Sequence, residues 1–167
     1  MVELSAAAQK LKTACDTAYD NNASSCSNAV WDVVKAIVNP DEPFRQANKL
    51  IDNMAVNWTK VSLDKGYELA NQGVVVVGGA NASPNGHVIV IYPGDKKGNG
   101  GYSYFWKKGN KNLILTATGI YARCMSTSMG SWPGAQSRGD KTVWDPWGSD
   151  DKFDDVEFWT PKTSTQT

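Results

Sequence analysis

One α+β domain, with helices first and an antiparallel sheet after them, is what this sequence predicts, and three observations carry the prediction. Apolar residues recur at spacings of three and four up to about residue 71, and β-branched runs take over from Val74 onward. The two patterns do not alternate, which argues against a repeated strand–helix–strand fold with a parallel sheet. The length of 167 residues is enough for one sizeable core, and no internal repeat or shift in composition divides it.

The first helix is expected over residues 4–19, where Leu4, Ala7, Ala8, Leu11, Ala14, Cys15 and Ala18 make one apolar stripe. Residues 20–25, rich in Asp, Asn and Ser, interrupt it with turn and cap formers. A second helix is expected over 26–38, with Ala29, Val30, Val33, Val34, Ile37 and Val38 facing inward. Pro40 and Pro43 follow, and proline cannot continue a helix because it lacks the N–H and clashes with the preceding turn. A third helix covers about 45–58 through Ala47, Leu50, Ile51, Met54 and Trp58, and Ser62 caps a shorter one over 63–71 before Gly73.

Val74–Val77 begins the strands, and His87–Tyr92 forms the next, stopped by Pro93-Gly94. Further strands are expected at 102–106, 113–118, 120–125 and 155–159. The connection 126–151 is long and rich in Ser, Gly and Asp, and its Trp132, Trp144 and Trp147 should fold it back onto the domain. The domain is thus expected to span 1–159, with 160–167 a flexible tail.

Seventeen basic and seventeen acidic residues give a net charge of zero, which argues against capture of nucleic acid or an anionic membrane by bulk attraction. The longest apolar run is too short to span a bilayer, and the N-terminus lacks the basic and apolar regions of a cleaved signal. The reactive inventory is Cys15, Cys26, Cys124 and a single histidine, His87. No CxxC pair is present, and the spacing of the three cysteines and the one histidine matches no compact zinc module, so no metal site is expected.

Cys26 stands where Ser24 or Ser25 can cap the second helix, so its sulfur should lie beside unpaired N–H groups at the positive helix end. That setting favours the nucleophilic thiolate and offers a donor to an oxyanion. His87, after the small Gly86 at a strand start, can act as base toward Cys26 and acid toward a leaving amine. A buried structural cysteine and an ordinary surface histidine fit the same local patterns. Three disulfide pairings are also open: Cys15–Cys26 or Cys26–Cys124, which would silence Cys26, and Cys15–Cys124, which would leave it free.

Ser25-Cys26-Ser27-Asn28-Ala29-Val30, Gln46 to Met54, Val61-Ser62, Leu69 to Gly73, and Gly86-His87-Val88-Ile89-Val90 with Pro93-Gly94 occur in that order. Together they resemble peptidoglycan amidase effectors of the broad NlpC/P60 and CHAP papain-like class, most of all the third group of type VI secretion amidase effectors. The likeness covers about residues 10–94 and weakens from 95 onward. It implies a papain-like fold, Cys26 as nucleophile and His87 as base, with no cofactor.

The implied substrate is the stem peptide of Gram-negative peptidoglycan, cut at the meso-diaminopimelate–D-alanine cross-link. The bond between D-glutamate and meso-diaminopimelate is the alternative. The resemblance also implies a cytoplasmic product exported by a type VI apparatus without a signal peptide, acting in a target periplasm, and a cognate immunity protein there. A phage endolysin, a protease or transglutaminase acting on proteins, and a noncatalytic papain-like binding protein are the competing readings. Relatives place a polar residue on the strand after the histidine strand, which nominates Asn99 and Thr116 to orient His87. Asn48 and Asp52, one helical turn apart, Trp132 and Arg138 are candidate substrate contacts. With Cys26 kept reduced for catalysis, Cys15 and Cys124 are the candidate disulfide.

Overall fold

Serine hydroxyls open four of the helices. In the computed structural model, which describes residues 3–162, Ser5 accepts the N–H of Ala8 at 3.2 Å and starts α1 (Ala6–Asn21). Ser25 does the same for α2 (Cys26–Ile37) and Ser62 for α4 (Leu63–Asn71), while α3 (Ala47–Asn57) starts after Gln46 without a side-chain cap. Each cap satisfies an N–H that the first helical turn leaves without a partner. The middles of the apolar stripes are buried, with Leu11, Cys15 and Ala18 on α1, Val30, Val33 and Val34 on α2, and Leu50, Ile51 and Met54 on α3, whereas Ala7 and Val38, expected on the same stripes, are exposed at the helix ends.

The strands are β1 (Trp58–Val61), β2 (Val77–Ala80), β3 (His87–Gly98), β4 (Ser103–Trp106), β5 (Lys111–Ile114), β6 (Ile120–Ser126), β7 (Ser137–Thr142) and β8 (Glu157–Pro161). Six of them form one antiparallel sheet in the order β1-β8-β2-β3-β6-β7, and β4 with β5 makes a separate hairpin. β3 is the centre of the molecule: Val88–Tyr92 are buried without a break, and all four long helices reach this strand. A continuous apolar run of this kind marks a strand covered on both faces. The short helix α5 (Asp150–Phe153), capped by Ser149, completes the fold.

Five elements depart from the sequence expectation, one being the strand expected at 113–118, which forms earlier as β5 while 115–119 stay irregular. Val75 and Val76 are buried and Val74 half-buried, all three irregular, and β2 starts only at Val77; the Val76 carbonyl still accepts the Ile91 N–H at 3.0 Å. Trp58, expected to close α3, instead begins β1, because the chain turns extended there to pair with β8. β3 passes through Pro93-Gly94 instead of stopping there. Gly94 takes a φ of 135°, and the register against β6 shifts between Tyr92 and Lys97, so a bulge absorbs the missing proline N–H. The long connection contains β7, a charged edge strand that only its pairing with β6 defines.

The chain end also differs. Thr160 and Pro161 belong to β8, and the buried Thr160 hydroxyl donates to the Val75 carbonyl at 2.9 Å, so the sheet continues past residue 159. The remainder of the expected tail, 163–167, lies outside the described residues. The three cysteines are free thiols, which corrects the expected Cys15–Cys124 pairing. Each of that pair is fully buried in its own packing, Cys15 on α1 and Cys124 on β6, where Cys124 Sγ donates to the Thr142 carbonyl.

Candidate active site

Cys26 is the first residue of α2 because Ser25 fixes the helix start, its hydroxyl accepting from the Asn28 N–H at 3.3 Å and from Asn28 Nδ2 at 2.7 Å. His87 is the first residue of β3, in register with Ala80 of β2. The packing of α2 on β3 brings the two starts together. Backbone N–H groups of Val88, Ser27 and Cys26 itself favour the charged form of the sulfur. Cys26 and His87 line one open cleft of about 570 Å³, together with Ser24, Gln46, Asn85 and Trp132.

Burial raises the Cys26 thiol above its ordinary value, and the three backbone N–H groups only partly oppose it. The expectation that the helix start would favour thiolate is therefore corrected, since loss of hydration outweighs the local donors. Burial also pushes the His87 imidazole down to about 4, and its ring meets the edge of Trp147 at 5.4 Å. With these shifts the thiol and the imidazole that line the cleft rest neutral. Such a pair transfers its proton as the sulfur attacks and does not wait as a preformed ion pair.

The residue that orients His87 is Ser126, at the end of β6, which the sequence reading missed. His87 Nε2 lies 2.8 Å from Ser126 Oγ, and that hydroxyl donates to the Ala135 carbonyl at 2.7 Å. A hydroxyl has one proton, and Ser126 gives its proton to Ala135. It must then accept from His87 Nε2–H, which leaves the Nδ1 lone pair to take a proton. With Cys26 and His87 as a nucleophile–base pair, Ser126→Ala is expected to lower kcat about tenfold to a hundredfold with KM nearly unchanged. In ¹⁵N spectra, His87 should shift from the single Nε2–H tautomer to a mixture, a change that a purely structural role of Ser126 would not produce.

Asn99 and Thr116 do not fill this role. Asn99 is buried at the base of the loop after β5, where its Oδ1 accepts from the N–H groups of Thr118 at 2.7 Å and Gly119 at 3.1 Å. Its amide donates to Thr118 Oγ1 at 2.9 Å, and Thr116 is exposed in the same loop. Asn48 supports the histidine loop instead of a substrate. Its Nδ2 donates to the Ala82 carbonyl at 2.9 Å, and its Oδ1 accepts the Ala82 N–H at 3.3 Å. Gly86 completes that junction, since a Cβ there would lie 2.5 Å from Asn48 Oδ1 and from the Ala80 carbonyl. Asp52, a turn along α3, is exposed and outside the cleft lining. Arg138 is likewise elsewhere, tying β7 to α1 through Asp20 at 2.8 Å and Asp16 at 3.7 Å.

Trp132 lines the cleft, and Asp145 organises the ground behind it. The indole N–H of Trp132 donates to the Asp145 carbonyl at 2.6 Å, and its ring meets Tyr104 edge-on at 5.4 Å. The buried Asp145 carboxylate accepts from the Gly100 N–H and Tyr102 hydroxyl on one oxygen and from the Thr142 N–H and hydroxyl on the other. Of the other two tryptophans in this segment, Trp147 touches His87 and Trp144 is buried, donating to Asp150 at 2.8 Å.

Among the described residues, no side chain lining the cleft is Asp, Glu, Lys or Arg, and no group of three or more His, Cys, Asp or Glu is placed to hold a metal ion. No helix among them is long and apolar enough to cross a membrane. Set against known proteins, the chain matches no family model and no curated protein.

Proposed function

We propose that this protein is a cysteine amidase that cleaves the stem peptides of Gram-negative peptidoglycan. The observation that carries the reading is the meeting of Cys26 and His87, distant in sequence, in one open cleft with the imidazole held by Ser126. A nucleophile, a base and an orienting group in that relation are the parts that acyl transfer requires. The substrate class rests on the resemblance of the Cys26 and His87 motifs to amidase effectors, and a cleft of hydroxyl and amide groups suits a peptide backbone.

In the first step Cys26 Sγ attacks the scissile carbonyl and its proton passes to His87 Nδ1. The developing oxyanion draws on backbone N–H groups beside the sulfur. His87 then protonates the departing amine as the C–N bond breaks, leaving a thioester on Cys26. Water, giving a proton to His87, attacks the thioester; the product acid leaves and the proton returns to the thiol.

The preferred bond is the meso-diaminopimelate–D-alanine cross-link, with D-glutamyl–meso-diaminopimelate as the runner-up. The accompanying proposals are a papain-like NlpC/P60 fold, delivery by a type VI apparatus into a target periplasm, and a cognate immunity protein that closes the cleft. The test is digestion of purified cross-linked stem-peptide dimers, which contain both bonds, with products identified by mass spectrometry. Monomeric stems with free D-alanine carboxylates are expected. Fragments ending in D-glutamate would transfer the assignment to the runner-up bond, and intact dimers with folded enzyme would overturn the amidase reading.

A further inference from the structure

The β4–β5 hairpin leaves the main sheet beside the cleft, and its sequence is unlike the rest of the chain. Residues 102–118 hold Tyr102, Tyr104, Phe105 and Trp106 with Lys107, Lys108 and Lys111, and no Asp or Glu. Cross-strand register puts Tyr104 opposite Leu113 and Trp106 opposite Lys111, so these four share one face, because side chains alternate along a strand. Tyr104 packs edge-on against Trp132, which lines the cleft. Two residues on, Trp106 is 42% exposed, with Lys111 Nζ 5.5 Å from its ring centre. An aromatic ridge thus runs from the cleft wall at Trp132 through Tyr104 to Trp106 and ends among three lysines.

We infer that this ridge is a subsite for the glycan strand of peptidoglycan, lying outside the cleft that takes the stem peptide. The inference rests on the amidase reading. A pyranose ring presents a flat face of C–H groups that loses its water well against an exposed indole, while its hydroxyl edge stays hydrated. The polymer also carries free carboxylates on its stems, complementary to a hairpin with three cations and no anion. Continuity matters as much as composition: a stem peptide reaching Cys26 is attached to a glycan that must lie beyond the cleft mouth, and the ridge starts at Trp132 on that wall. The uncharged cleft and the cationic hairpin divide the labour, one reading the peptide and the other holding the polymer.

The test is retention on insoluble purified sacculi by the Cys26→Ala protein, which binds without cutting. Trp106→Ala in that background is expected to weaken retention about tenfold. Replacing Lys107, Lys108 and Lys111 together by Gln is expected to weaken it and remove most of its salt dependence; these exposed side chains keep the test open should Trp106→Ala fold poorly. Sacculi stripped of their stem peptides should retain the Trp106-dependent part. Unchanged retention by either folded variant would overturn the subsite, as would Trp106-dependent binding to phosphatidylglycerol vesicles and not to sacculi. Cleavage of soluble, glycan-free stem peptide by the unmutated enzyme reads the amidase activity separately, so failure of the subsite and failure of the amidase reading are distinguishable.

Discussion

Cys26→Ala is expected to abolish stem-peptide cleavage, a fall of about ten-thousandfold or more in kcat, with the fold unchanged. His87→Gln should cost nearly as much, and the double variant little more than either, because in the proposed mechanism nucleophile and base act as one unit. The pH profile carries the sharper information. His87 must be neutral to accept the thiol proton, and burial has pushed it down to about 4 from its ordinary 6.5. Protonation therefore disables the free enzyme only as pH falls through about 4, and kcat/KM should be level from there to neutrality. An acid limb near 6.5 would mean that the ring is hydrated in solution and that burial does not depress it. Single-turnover assays with Cys26→Ala beside the unmutated enzyme check the first point, and a kcat/KM profile across the acid range checks the second.

Asp145→Ala is expected to lower stability by about 3–5 kcal/mol. The carboxylate is 1% exposed and takes four hydrogen bonds, from Gly100, Tyr102 and twice from Thr142. Alanine leaves those donors facing an apolar void, and the desolvation of each is then uncompensated. Asp145→Asn should fall between the two, since one oxygen still serves Gly100 and Tyr102 while the new amide opposes the Thr142 N–H. Urea unfolding should show the midpoint falling at constant slope. A loss under about 1 kcal/mol would show that water reaches these donors.

The helices were legible because their information is local: an apolar stripe and a serine at the start suffice, and Ser25 thereby also placed Cys26. Strands defined only by distant partners were not. β7 reads Ser-Arg-Gly-Asp-Lys-Thr, a loop by composition, and becomes a strand through β6. The same limit hid Ser126. Chain order points for an orienting residue to the segments after the histidine strand, whereas β3's neighbour in the sheet is β6, because β4 and β5 depart as a separate hairpin. A polar group on the adjacent strand was the right chemistry assigned to the wrong strand. For Cys26 the local reading gave the right position and the wrong net sign, since burial by β3 and the surrounding loops could not be read from the helix start.

The burial of Cys15 and Cys124 has a consequence for how the molecule meets its surroundings. Both thiols are fully enclosed and pushed far above the ordinary thiol range, while Cys26 opens on the cleft. Composition supplies three thiols, yet the folded chain presents one to an alkylating reagent or an oxidant. Covalent labelling is thereby confined to Cys26, and the labelled fraction counts chains with that thiol free, one by one. The same confinement means that an oxidising compartment finds no second accessible sulfur with which to close Cys26 into a bond within the chain.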